Sequence, residues 1–491
     1  MNSQNIENQI LEIQNFLKSN NEFLLQYKFG KAFALQTTEI EIEISHNKLL
    51  FCFLDDKGFQ TWRVKKYEIK DEKLFLELMR NFEKENETVI LIPRVSAGDL
   101  SASVEIARIE KAGKIAALIK ENNPKIKLIR VQLNKENGRL AQIFFENSNK
   151  AYVAAIADVS ESLTPEILIS SAILQLAKLQ NRRKNPVEKI WILADKKPAK
   201  KLQKLHALLK ENWKSKIEIF EISFSETEDN PKPLSQLEIE NLWREKAGKI
   251  QILEDYKISD SAREIIKFAS EKIDVIFSKQ GETLRFHGLP FARVRRVLTE
   301  EKVWFGVEKE KRILTENTEK DFYELLENLE KYRRFDSPNK RYLFYDSAPE
   351  AWLESLLRRN IKILDANLIL SPVYHQFRAE REKIDLLALR KDGRLVIIEL
   401  KVTPDREMIF QAADYWRKIE LQRRKGNLNK AKIFGDLKIS DKPAICYLVA
   451  PTLSFHPEFK FLSQTISREI EIHRFNLAEN WRENLKVLGR E

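Results

Sequence analysis

Lys383-Ile384-Asp385-Leu386-Leu387-Ala388-Leu389-Arg390, then Lys391-Asp392-Gly393, then Arg394-Leu395-Val396-Ile397-Ile398-Glu399-Leu400-Lys401-Val402 read as a strand, a tight turn and a second strand. Apolar β-runs rarely carry acids and a lysine on a core-facing side without a reason. Side chains alternate along a strand, so Glu399 and Lys401 share one face and Leu400 and Val402 the other. The turn decides where Asp385 points. A two-residue Asp-Gly loop pairs Asp385 with Leu400 and sends its carboxylate to the wrong face. A three-residue loop, Lys391-Asp392-Gly393 with a left-handed Gly393, pairs Arg390 with Arg394. Asp385 then sits opposite Glu399, with Cβ atoms about 5 Å apart.

Two carboxylates that close raise one another's pKa unless a cation lies between them. Mg²⁺ or Mn²⁺ suits the gap, because such ions are held by one or two carboxylates and keep several waters. A divalent ion there polarises a phosphoryl oxygen and yields a nucleophilic water near neutral pH. Lys401 is placed to orient that water or offset charge on the phosphate. The competing reading is an edge hairpin with a solvated Glu399–Lys401 pair; Leu395 and Ile397 on the same face argue for burial instead.

At these residues the chain resembles the PD-(D/E)xK (restriction-endonuclease-like) nuclease superfamily. Asp385 stands as the first acid and Glu399-Leu400-Lys401 as the second motif, in the pattern Asp-x(13)-Glu-x-Lys. The resemblance covers roughly the last 145 residues. The literal Pro-Asp dipeptide is absent, since Lys383-Ile384 precedes Asp385. The following helix adds Gln411 and Tyr415, one turn apart, like the Gln-x-x-x-Tyr signature of some branches; a helix–sheet packing face is the alternative for that pair. The resemblance implies catalytic roles for Asp385, Glu399, Lys401, Gln411 and Tyr415. It also implies a further metal acid from the preceding helix. There Ser347-Ala348-Pro349-Glu350 reads as a capping box, which makes Glu350 a cap and leaves Glu354, one turn on, as the metal candidate beside Asp385 and Glu399.

Composition sets the outer limits. A chain of 491 residues with 43% hydrophobic content can bury several cores. Thirteen glycines, with no Gly-x-Gly-x-x-Gly and no Walker-type Gly-Lys-Ser/Thr, argue against a built-in nucleotide cofactor. The net charge of +11 suits a polyanionic partner, with DNA expected and RNA not excluded. Cys52 and Cys446 read as reduced core residues, and six scattered histidines give no zinc pattern. No leader or membrane-length run is evident, which points to the cytoplasm.

The expected architecture is multidomain α/β (α+β mixed). A β-rich module occupies 1–95, with an amphipathic first helix and another helix at 74–82. Residues 96–223 follow the order α-β-β-β-α-β-α-β, which the C-terminal region repeats. Thr164-Pro165-Glu166 and Thr403-Pro404-Asp405 each open a long helix, and each helix closes on Leu-Gln and an arginine pair, Arg182-Arg183 and Arg423-Arg424. In the first copy Asp158-Val159-Ser160 stands near the place of Glu399-Leu400-Lys401, and the preceding strand, Leu140-Ala141-Gln142-Ile143-Phe144-Phe145, has no Asp. The expectation is a degenerate nuclease-like domain, with ordinary α/β patterning as the alternative. A linker at 223–233 and helices at 237–256 and 262–272 fill 224–272. Residues 273–345 form a β-rich Arg/aromatic module with an acidic helix at 315–332, and 346–491 form the nuclease domain.

In the Arg/aromatic module, Arg285, Arg293, Arg295 and Arg296 interleave with rings, the pattern of a single-strand-binding sheet; an aromatic core with a solvated arginine face is the other reading. Arg417, Arg423, Arg424 and Lys425 are expected beside the metal site, gripping phosphates. Together these features point to a metal-dependent DNA nuclease. The alternatives are a non-catalytic nucleic-acid-binding or assembly protein that keeps the fold, or an RNA-cleaving nuclease.

Overall fold

The computed structural model describes residues 3–20, 22–27, 32–46, 48–55, 58–80, 85–93, 97–147, 149–182, 184–223, 229–248, 250, 257–278, 281–297, 300–307, 311–371, 378–379 and 382–491. The protein is a multidomain mixed α/β chain with several sheets. It forms two compact units, one of residues 1–202 and 216–235, the other of 203–215 and 236–491. Among the described residues no helix is long and apolar enough to cross a membrane.

The first unit begins with the helix Ser3–Lys18 and a seven-stranded antiparallel sheet built from residues 22–93. Ile13 and Leu17 of the helix join Phe23, Phe51, Phe53 and Leu76 in one core. The helix expected at 74–82 is instead the strand Lys73–Arg80, with Phe82 outside the described residues. Leu74, Leu76 and Leu78 are all buried, so period-two spacing governs that segment.

A second sheet follows. Its strands are β1 (Lys127–Leu133), β2 (Leu140–Glu146), β3 (Tyr152–Asp158), β4 (Val187–Ala194), β5 (Ile217–Ser223) and β6 (Asp229–Pro233). The helices are α1 (Ala97–Asn122), α2 (Pro165–Gln180) and α3 (Lys196–Ala207). Thr164 caps α2 by accepting from the Ile167 amide at 3.2 Å, with Pro165 in the first turn. The expected linker at 223–233 is corrected in part, since Asp229–Pro233 pairs antiparallel with β5 at the sheet edge. Two prolines fit there because an edge strand can lack donors. Residues 224–228, and Arg183 of the expected arginine pair, lie outside the described residues.

The second unit carries a five-stranded antiparallel sheet over residues 273–313, against which the helix Glu319–Tyr332 packs through Phe322, Leu326 and Leu329. Its second sheet comprises β7 (Leu368–Leu370), β8 (Leu386–Arg390), β9 (Leu395–Leu400), β10 (Ile445–Pro451), β11 (Glu471–Leu477) and β12 (Val487–Arg490). Its helices are α4 (Pro349–Arg359), α5 (Met408–Arg424) and α6 (Phe459–Ser463).

The two six-stranded sheets share one topology. The spatial order is β1-β2-β3-β4-β5-β6 in one and β7-β8-β9-β10-β11-β12 in the other. In both, the first two pairings are antiparallel, the next two parallel and the last antiparallel. A helix precedes the first strand of each, a long helix crosses between the third and fourth strands, and a shorter helical segment joins the fourth to the fifth.

Two helix boundaries are corrected. The expected helix at 237–256 is confined to Ile239–Leu242 among the described residues, with 251–256 outside them. The helix expected from Asp405 starts at Met408, because Thr403–Glu407 form a turn in which Asp405 accepts from the Glu407 amide.

Candidate active site

Every residue of β9 is buried. It lies third in its sheet, antiparallel to β8 and parallel to β10, which accounts for a continuous apolar run broken only by Glu399. The edge-hairpin alternative does not survive this placement. The β8–β9 turn is the three-residue form. The Arg390 amide donates to Arg394 O at 2.8 Å, the Gly393 amide donates to Arg390 O at 2.8 Å, and Gly393 has φ +82°. The pairing Leu386↔Ile398 therefore places Asp385 across from Glu399. The Asp385 carboxylate accepts from the Leu400 amide at 2.9 Å, fixing it at the end of β9.

Around Lys401 the acids converge. Its ammonium lies 3.3 Å from Glu399 Oε1, 3.5 Å from Asp405 Oδ2 and 4.0 Å from Glu350 Oε1. Burial alone lowers the Lys401 pKa, yet Glu399, Glu350, Asp405 and Asp385 together raise it, so it stays an ammonium. Burial, reinforced by Asp385, holds the Glu399 carboxyl well above the usual range despite Lys401 beside it. Burial also raises Glu350, opposed by Lys401 and the Val402 amide and assisted by Asp405. Among the described residues, four carboxylates thus gather around the Lys401 ammonium. The other oxygen of Glu399, Oε2, is buried and has no hydrogen-bond partner among the described residues. Gln411 Oε1, in the first turn of α5, is buried and unpartnered in the same way.

These features fit a divalent cation. The crowding of buried acids and the Glu399 oxygen without a hydrogen-bond partner among the described residues suit a positive ligand, and oxygen donors suit Mg²⁺ or Mn²⁺. Among the described residues no three His, Cys, Asp or Glu side chains are gathered closely enough to hold a metal by themselves. The fit is therefore of the kind in which Asp385 and Glu399 supply two ligands and water the remainder.

Several expected site residues stand elsewhere. Glu354 is corrected as a metal ligand. It is buried on α4, receives Arg285 at 3.2 and 3.4 Å, and lies 3.8 Å from Arg358. Glu350 is the α4 acid beside Lys401. The capping box is absent, since the helix starts from Ala348 in the left-handed region (φ 45°) with no side-chain cap. Arg285 is corrected as a nucleic-acid contact, being 3% exposed and committed to Glu354 and, at 3.7 Å, to Asp274. Arg417 is likewise buried, with Asp414 at 2.8 Å and Glu245 at 3.6 Å. Arg293 reaches Thr283 at 3.4 Å, Arg295 lies over the Trp304 ring at 5.6 Å, and Arg296 is exposed on the same strand.

Gln411 and Tyr415 are partly open positions in the mostly buried first part of α5, and Lys418 lies 5.6 Å from the Tyr415 ring. Arg423, Arg424 and Lys425 stand at the far end of α5, about 20 Å from Gln411 along the axis. They are not beside the acids. Sequence reasoning missed Asp405 as a site residue, although its spacing of four from Lys401 across a Thr-Pro turn was available as a signal.

No family model and no curated protein matches this chain. Among solved structures, EndoMS in apo form is similar at 13% identity over 37% of this chain and 82% of that one, with a TM-score of 0.15. The EndoMS-dsDNA2 complex is similar at 13% identity over 37% of this chain and 81% of that one, with a TM-score of 0.14. At those scores neither likeness bears on what this chain does.

Proposed function

We propose that the sheet β7–β12 is the core of a DNA phosphodiesterase of the PD-(D/E)xK type that depends on Mg²⁺ or Mn²⁺. The observation that carries this reading is the buried Glu399 Oε2 beside Asp385, which has no hydrogen-bond partner among the described residues and lies within a cluster of carboxylates around Lys401. Asp385 and Glu399 are the residues that would hold the cation. When bound, it supplies Lewis acidity toward a phosphoryl oxygen and makes water a nucleophile near neutral pH.

The chain's own groups divide the remaining work. Lys401, held as an ammonium, cannot act as a general base; it donates to a phosphate oxygen and offsets charge that develops there. Glu350 and Asp405 keep that ammonium charged and fixed in position. The Leu400 amide fixes Asp385 and so sets the spacing of the two acids. Gln411, with an unsatisfied oxygen and two amide donors, can hydrogen-bond water or phosphate at the start of α5.

The test is cleavage of single-stranded, duplex, branched and mismatched DNA, and of RNA, with Mg²⁺ or Mn²⁺. Asp385→Ala and Glu399→Ala are expected to abolish cleavage, and Lys401→Ala to lower it by about 10²–10³-fold, while DNA binding persists. Cleavage surviving all three changes refutes the assignment. DNA binding without cleavage under every metal condition points to a binding protein, and RNA-only cleavage replaces the substrate. Calorimetric titration with Mn²⁺ gives an independent readout, since Glu399→Ala should remove the binding heat.

A further inference from the structure

At the end of α5 remote from the acids, Trp243, Arg423, Arg424, Lys425, Asp441 and Pro443 line a cavity of about 550 Å³. Its walls are held in place. Arg423 donates to both oxygens of the fully buried Glu420 at 2.8 and 2.7 Å and to Asp441 O at 2.8 Å. The Ala444 amide donates to the same Glu420 at 2.9 Å, tying the helix end to the start of β10. The Arg424 guanidinium lies 4.5 Å above the Trp243 ring, and Trp243 meets the buried Trp416 edge-on at 5.8 Å. Lys425 is exposed at the rim.

Among the described residues three cations stand with two carboxylates here, Asp441 and Glu420, the latter shared by Arg423 and, at 3.5 Å, by Arg424, which leaves a net positive charge. A helix C-terminus favours cations in any case. That preference does not call for an aromatic platform beside an open depression. An indole with a stacked guanidinium is a surface on which a nucleobase stacks, and adjacent cations suit its phosphate.

We propose that this cavity is an anchor site for one nucleotide of a DNA strand, with the base stacked on the Trp243–Arg424 platform and the phosphate on Arg424 and Lys425. The inference rests on the DNA reading of the preceding section and adds a second contact point. At about 20 Å from the start of α5, the anchored nucleotide lies roughly six nucleotides from the acids at duplex spacing. An extended single strand covers the same distance in about three steps, roughly twice the duplex spacing per nucleotide, so a strand of two residues is too short to engage both places.

The experiment uses the full chain in chelator, so that no cleavage is required, with fluorescein-labelled single-stranded DNA of 2 and 20 nucleotides across a salt series. The wild type should bind the 20-mer more tightly than the 2-mer by more than tenfold. Lys425→Glu, at an exposed position, should weaken 20-mer binding about tenfold and flatten log K against log salt by about 1. Trp243→Ala should cost about 5- to 100-fold on the 20-mer, with Trp243→Phe restoring most of it. A thermal melt on each variant separates loss of contact from loss of fold. Wild-type affinity and salt slope in both Lys425→Glu and Arg424→Gln, or no length preference in the wild type, overturns the anchor. If these variants bind normally while the wild type cleaves DNA, only the anchor falls. If the length preference and its loss are seen without cleavage under any metal, the anchor stands and the hydrolase assignment falls.

Discussion

His287 shows how a single side chain reports its surroundings. It stacks on Trp352 at 5.4 Å, and burial, followed by Arg359, Arg333 and Lys272, pushes its pKa down to about 3. The unfolded chain therefore takes up this proton near pH 6.5, whereas the folded one resists until about pH 3. Between those values the unfolded state binds more protons, so the contribution to stability is present above pH 6.5 and is lost as pH falls toward 3. The expected difference is on the order of 3–5 kcal/mol. His287→Asn, which tolerates the positive φ at this position, should flatten the acid limb of a stability–pH curve measured by urea unfolding. An unchanged slope contradicts this account. The facing of Asp385 and Glu399 was readable at this scale because loop length and strand alternation fix it. The exchange of roles between Glu350 and Glu354 was not, because Glu354 is claimed by Arg285, a partner 69 residues away.

The same partnership explains what the Arg/aromatic sheet does for α4. Arg285 grips Glu354, and Arg359 reaches Asp274 at 3.3 Å. Fully buried Arg333 donates to the carbonyls of Phe286, His287, Phe344, Ser347 and Ala348. These bonds hold the left-handed Ala348 and hence the start of the helix that presents Glu350. Gly288 completes the junction. It has φ +78°, and an added Cβ would lie 1.9 Å from Ala351 O. Gly288→Ala should destabilise by about 3 kcal/mol or more, read as a lower urea midpoint, and should depress cleavage by shifting Glu350. A normal midpoint would remove the close approach from this description. Arginines spaced between rings look alike whether they serve a nucleic acid or a neighbouring helix; only the tertiary partner separates the two. The αβββαβ order was legible because each element is long or strongly patterned. Residues 74–82 were misread because a run of leucines satisfies both helical and strand periods until the sheet selects one.

At the scale of the whole chain, the two compact units are interleaved in sequence. Residues 203–215 belong with 236–491 although residues 216–235 return to the other unit. Within the second unit, Leu209 bridges Ile466, the Lys210 amide donates to Thr465 O at 2.8 Å, and Trp213 meets Phe461 edge-on at 5.7 Å. A fragment of residues 236–491 lacks these contacts. It should melt several degrees below the corresponding transition of the full chain, and a peptide of residues 203–215 added in trans should raise its midpoint. Equal midpoints would show the segment to be dispensable. Sequence composition could not reveal this excursion, because nothing in residues 203–215 distinguishes a helix that stays from one that crosses. The matching sheets have a related implication. Asp158, at the end of β3, accepts from the Ser160 and Leu163 amides at 2.7 and 2.9 Å, so its charge is spent on turn geometry. The sealed oxygen of Glu399 has the opposite character, since the fold leaves it wanting. Emptied of ions, the chain should gain heat resistance from Glu399→Gln; if the proposed cation binds, millimolar Mn²⁺ should invert the ranking, and the crossover in melting temperature would measure what such a site gives up in rigidity at rest for readiness to bind.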